Sequence, residues 1–288
     1  MNFTMFTQLF NQIENITKTY VTDISSKAIA TITPFISIGI TIAFIIYGWL
    51  IIRGAIDMPL SGFVNRFIRI SIITSIALTA GLYQPEITNL ITQMPHDLSK
   101  ALIKNPLTDQ QLMSLLDEAA GKGFQYASSL FEETVFFDAN GFLYSLLGIL
   151  ILLATSLVVA IGGGLILITK IALSLLVGWG PIFIIALLWQ PTYRFFEQWI
   201  AQVLSYTILF VFLATLFNLM MNVFANYLGD MSLNNQQNIG GTFGGALILS
   251  IISIMLLLKL SNIANALAKG ITFGHLWRLD GIGSNKSR

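Results

Sequence analysis

The sequence contains no cysteine. Thiolate nucleophiles, thiolate metal ligands and disulfide staples are therefore all excluded. Histidine is almost as scarce. His96 and His275 are the only two, and both fall outside the long apolar segments, which leaves no basis for a His-built metal site or acid–base cluster. There is no phosphate-cradling glycine loop, no HExxH pair and no nucleophile elbow. No cofactor, no metal, no small-molecule substrate and no enzymatic activity are expected from this inventory. Charge is thin as well. Only 10% of residues are Asp, Glu, Lys or Arg, against about a quarter in soluble domains. The deficit is spread along most of the chain, so a soluble domain with a single anchor is also excluded.

What fills the chain instead is apolar: 55% of residues by count, with a mean hydropathy of +0.76. The longest such stretch runs from Asn140 to Trp199, interrupted only by Lys170, Arg194 and Glu197. It exceeds the 20 or so residues that cross a bilayer. Two glycine-rich points inside it, Gly162-Gly163-Gly164 and Gly178-Trp179-Gly180-Pro181, predict that it is not one straight helix. Pro181 in particular removes a backbone donor that lipid cannot replace. The expected fold is an all-α polytopic transmembrane protein: about five crossings, a broken or re-entrant helix, and a periplasmic helical subdomain.

In chain order, residues 1–27 predict an extracytoplasmic amphipathic helix. Phe3, Phe6, Leu9, Phe10, Ile13, Ile16, Tyr20 and Ile24 recur at helical spacing there. It would lie on the membrane surface, on a partner, or on its own bundle. No basic segment with a cleavage site precedes the first span, which is expected to do the targeting itself. Residues 28–85 hold two spans joined by a short loop with Arg53, Arg66 and Arg69 against Asp57. Residues 86–138 carry eight acids and three lysines. Thr108-x-x-Gln111 forms a capping-box pattern, and an apolar stripe follows through Leu112, Leu116, Ala119 and Leu130. This predicts a helical subdomain outside the membrane. Residues 139–258 form the transmembrane core with the GWGP break, and 259–288 a basic cytoplasmic tail.

Basic loops stay cytoplasmic. With five crossings, ten Lys or Arg and three acids lie inside, against five Lys and eleven acids outside. That balance requires Ile171–Trp189 to return to the side it left. It places the N-terminus in the periplasm and the C-terminus in the cytoplasm.

Several residues each read two ways. Lys170 either lines a conduit or marks the inner interface by snorkelling. Thr215, Asn218, Asn222 and Asn226 either line a polar passage or supply interhelical hydrogen bonds. Gly240, Gly241, Gly244 and Gly245 allow close helix contact and point to a homo-oligomer. The glycines around Trp179 are expected to relax the backbone, with the Trp179 indole N–H meeting a carbonyl freed near Leu176 or Val177.

The layout, and above all the stretch Lys170-IALSLLVGWGPIFIIALLWQPTYRFFEQW-Ile200, resembles the TrbL-like polytopic inner-membrane subunit of bacterial type IV secretion (conjugation) systems. The resemblance implies a structural, non-enzymatic part of an envelope-spanning machine in the bacterial inner membrane. That part would serve as a platform for conjugative pilus assembly and for translocation of DNA or protein. It further implies as partners the membrane lipid, pilin and minor pilin, other secretion subunits, and transient contact with translocating DNA. Gly178, Trp179, Gly180 and Pro181 carry the signature. A stand-alone secondary transporter or channel for a small solute is the alternative, but only one broken helix is evident where transporter repeats bring two.

Overall fold

A computed structural model describes residues 3–54, 60–79, 82–102, 108–132, 139–233 and 239–269. Every element among them is a helix. In order these are α1 (Met5–Ile52), α2 (Leu60–Leu78), a π-helical turn (Tyr83–Thr88), α3 (Asn89–Leu102), α4 (Asp109–Glu132), α5 (Ala139–Gly178), α6 (Gly180–Ile185), a 3-10 turn (Ala186–Leu188), α7 (Tyr193–Leu233) and α8 (Ile239–Lys269). Four helices are long and apolar enough to cross a membrane: Met5–Ile52, Tyr144–Gly178, Tyr193–Met220 and Leu247–Ala268. A fifth span results if the bent pair Gly62–Leu78 and Tyr83–Leu102 counts as one. The chain is an all-α, multi-pass membrane protein.

Three expectations change. The amphipathic segment 1–27 is not a separate helix. It runs without a break into the first span, so that α1 has 48 residues and a length of about 72 Å. Gly162–Gly164 does not break α5, which continues through it for 40 residues. A Cβ on Gly162 would collide with the Phe217 ring, and one on Gly163 with the Phe6 ring; these glycines make room for aromatics. Segment 86–138 is not a body apart either, because α4 buries its stripe in the bundle.

Chain contacts divide the molecule into two units. The first holds Met1–Asn15, Met94–Ala172 and Ser205–Leu267. Its core joins Phe10 of α1, Leu112, Leu116 and Ala120 of α4, Val159 and Ile166 of α5, Leu213 and Phe217 of α7, and Leu257 of α8. The start of α4 follows its sequence signal. Gln111 N–H donates to Thr108 Oγ1 at 3.3 Å, and Thr108 N–H donates to Gln111 Oε1 at 2.8 Å, which satisfies two end donors reciprocally. The start of α1 has no acid in its own first turn and borrows one. The buried Asp117 carboxylate of α4 accepts from Phe6 N–H at 2.8 Å, Thr7 N–H at 2.9 Å and the Thr7 hydroxyl at 2.6 Å. An anion at a helix N-terminus is favoured both by the exposed amides and by the helix dipole.

The second unit holds Ile16–Gln93, Leu173–Leu204 and Ala268–Arg288. Here α1 buries Val21, Ser25, Ile29 and Ile36 and exposes Phe35, Ile38, Ile42 and Ile45. Phe44 meets Phe63 and Phe67 of α2, each with ring centroids 6.2 Å apart. At the hairpin end Arg53 lies over Trp49 at 3.9 Å and Arg66 over Tyr47 at 4.5 Å. These cation–π contacts hold the two arginines against aromatic rings of α1.

Candidate functional site

The GWGP break lies in the second unit, and its geometry follows from one missing proton. In a continuous helix the Val177 carbonyl would accept from the N–H of residue 181, which proline lacks. The Leu176 carbonyl would accept from Gly180 N–H, but the chain turns at Trp179 (φ −87°, ψ −2°) and restarts as α6. Two acceptors are left bare inside an apolar protein, where an unpaired carbonyl is strongly unfavourable.

Both are filled from a distance. The Tyr83 hydroxyl donates to the Val177 carbonyl, and Trp199 Nε1 donates to the Leu176 carbonyl at 2.9 Å. Tyr83 is 0% exposed and Trp199 4%. The Trp199 indole is stacked on Phe183, centroids 6.1 Å apart at 11° between planes, and tilted against Phe196 at 5.7 Å. Tyr83 sits in the π-helical turn after α2. The next residue, Gln84, ties that turn to α1 by donating to Thr22 O, Ser25 Oγ and Ser26 Oγ at 3.2, 3.3 and 2.6 Å.

Of the four signature residues Pro181 breaks the helix as expected, whereas the two glycines and Trp179 do other things. Gly180 is not held at a positive φ; Gly54 is the one glycine with that geometry among the described residues. A Cβ on Gly180 would strike the Tyr83 hydroxyl, lie 2.9 Å from Tyr83 Cζ and 3.1 Å from Trp199 Cζ2. Gly178 faces Ile24 and Val21 of α1, the nearest atom at 3.3 Å. Glycine is needed here for space rather than for backbone angle. Trp179 does not cap a carbonyl and is not a buried anchor, being 48% exposed. The freed carbonyls are met instead by Trp199 and Tyr83. The signal for them was the orphaned Val177 carbonyl, which demands a donor without saying which.

The remaining candidates lie elsewhere. Lys170, in the first unit, pairs with Asp109 in the first turn of α4. Its ammonium also lies 4.9 Å from the Phe10 ring centroid and 6.0 Å from that of Phe210. The charge count had set Lys170 inside and Asp109 outside, and the pair shows that they belong to one cluster. The Thr215 hydroxyl is spent on the Val211 carbonyl at 2.7 Å, and Asn218 is half-buried. The side chains of Asn222 and Asn226 fall outside the described residues. So do the surroundings of Gly240, Gly241 and Gly244; these three and the half-buried Gly245 lie in α8. Among the described residues no cluster could hold a metal ion.

The break and its partner Trp199 fall within a match to a known family. The family model described as TrbL/VirB6 plasmid conjugal transfer protein covers residues 40–260. The type IV secretion system protein VirB6 of Brucella abortus biovar 1 (strain 9-941) is 26% identical over 232 residues, 79% of this chain and 66% of its own length. The proteins of the same name from Bartonella quintana and Bartonella henselae are each 24% identical over 265 residues, 91% of this chain and 78% of theirs. The chain thus spans just under two thirds of the Brucella relative.

Proposed function

Because the chain belongs to the TrbL/VirB6 family of plasmid conjugal transfer proteins, we propose that it is a non-enzymatic, inner-membrane component of a type IV secretion system. In this reading it serves as a platform on which pilin leaves the bilayer for a growing pilus and past which DNA or protein substrate is moved. Its partners are pilin and minor pilin, other secretion subunits, further copies of itself, and transiently DNA. The N-terminus lies in the periplasm and the basic tail in the cytoplasm. The basic excess around Arg53–Arg69 and after residue 258 supports that orientation.

The observation that carries the reading is the build of the break. Two distant side chains and a glycine without room for a methyl group hold it rigid, and a half-exposed tryptophan stands on it. A large aromatic exposed on a rigid support is the usual form of a binding hot spot. Trp179 would be the contact for an apolar partner. Trp179→Ala should cut pilus production and substrate transfer while protein abundance in the membrane stays at the parent level. Unchanged transfer would remove Trp179 from the working surface. Self-association is tested separately by Gly244→Leu, which should shift the assembly to smaller size in native gels.

A further inference from the structure

Buried hydroxyls in the first unit find partners within the protein. Thr169 donates to the Leu165 carbonyl at 2.7 Å and Ser253 to the Leu249 carbonyl at 2.7 Å, the usual bond to the residue four places back. Ser205 donates across helices to Asn265 Oδ1 at 2.6 Å. Thr155 of α5 does neither. It is 2% exposed, and among the described residues its Oγ1 is the one buried side-chain polar atom without a hydrogen-bond partner. On one side it is pressed against α4 at Gly123, where an added Cβ would fall 2.3 Å from Thr155 Cγ2 and 2.5 Å from Oγ1. A hydroxyl buried in this way is unfavourable, and native proteins keep few of them.

A small space adjoins it. A cavity of about 10 Å³ lies between α4, α5, α7 and α8, all within the first unit, with Thr155 on its wall. Val158 and Val159 supply apolar surface from α5. The facing helices supply polar groups: Met220 of α7, and Ser250 and Ser253 of α8. Both serines are buried and stand three residues apart, on one face of α8. The Ser253 proton is already committed, since its oxygen lies 2.7 Å from the Leu249 carbonyl and 2.8 Å from Met220 Sδ. That leaves the oxygen to act as an acceptor.

Size and polarity together select the occupant. Free space of about 10–15 Å³ is the least that admits one water molecule, so nothing larger fits. Cavities with wholly apolar walls stay dry, whereas a buried water is held by about three hydrogen bonds. Three hydroxyls line this one. None of the lining residues carries a charge, so the wall offers an ion no counterpart.

We propose that a single water molecule is bound in this cavity and bridges α5 to α8. It accepts from the Thr155 hydroxyl, donates to Ser253 Oγ, and turns its second proton to Ser250 Oγ. The inference uses neither the orientation of the chain nor its part in secretion, and its test involves neither.

Thr155→Val keeps the shape of the side chain and removes its hydroxyl, while Thr155→Ser keeps the hydroxyl. A dry, unpaired hydroxyl would make the valine protein more stable than the parent. A hydroxyl bonded to water makes it less stable, with an unfolding constant about fivefold higher in SDS titration of the full-length protein. The water itself is read by a brief X-ray pulse, which turns water into hydroxyl radicals where it is bound. Met220, on the cavity wall, is the reporter. Met113, fully buried in the same unit and away from the cavity, is the control. Met220 should be oxidised severalfold more than Met113 in the parent and in Thr155→Ser, and severalfold less in Thr155→Val than in either. A valine protein as stable as the parent or more so, or Met220 oxidation equal in all three proteins, would overturn the inference.

Discussion

A methyl group added at Gly180 tests the reading of the break most directly. Its carbon would fall on the Tyr83 hydroxyl and within 3.1 Å of Trp199 Cζ2. Both aromatic rings are fully packed, so the clash is relieved chiefly by moving Tyr83 off the Val177 carbonyl. Overpacking of a tight core costs about 1–3 kcal/mol. A buried carbonyl left without its donor adds about 1–2 kcal/mol in a membrane protein. Gly180→Ala should therefore destabilise the protein by about 2–5 kcal/mol. Tyr83→Phe, which removes only the hydroxyl, should cost about 1–2 kcal/mol. In the double variant the carbonyl is lost once and the worst contact is gone. The two effects should then fall short of additivity by roughly 1–2 kcal/mol. Unfolding by SDS titration in mixed micelles measures all three. Strict additivity, or a Gly180→Ala protein within 0.5 kcal/mol of the parent, a shift of the size expected at an unconstrained surface site, would refute the claim that Tyr83 holds the break.

Trp199→Phe should lose the bond to the Leu176 carbonyl and lower stability by about 1–2 kcal/mol, whereas Trp179→Ala should change it by less than about 0.5 kcal/mol; the same titration compares them. Asp117→Ala should cost about 1–2 kcal/mol and speed amide exchange at Phe6 and Thr7 by about tenfold or more, because two backbone donors lose their acceptor. Lys170→Met should destabilise by about 1–2 kcal/mol by leaving the Asp109 carboxylate half-buried and unpaired, and adding Asp109→Asn should restore most of the loss. If the second change adds to the damage, the pair is not the reason for it.

What the sequence made legible was local. Thr108 and Gln111 announced a helix start three residues apart, and the structure pairs them as the pattern requires. Pro181 announced a break, because the carbonyl it orphans is fixed by chain geometry alone. What stayed hidden was long-range. Nothing near Val177 indicates that the donor is Tyr83, which precedes it by 94 residues. Gly162 and Gly163 suggested a break because a glycine run is locally permissive, but the Phe217 and Phe6 rings that occupy their space come from other helices. The α4 stripe is legible in the sequence, but its partner is not. An apolar stripe calls equally for a small separate core and for a neighbouring span, and only Gly123 seated on Thr155 decides between them.

The carboxylate that closes the start of α1 also sets an order of events during synthesis. Asp117 follows Phe6 by 111 residues. At about 5–20 residues per second, the ribosome reaches it some 6–22 s after making the first turn. Until then the leading amides of α1 have only water or headgroups to bind, and that turn frays. Once α4 is made and docks, the same turn is clamped from the side and withdrawn from solvent. The first turn of α1 is thus made before α4 and clamped only after it, and assembly closes back on that turn instead of growing away from it.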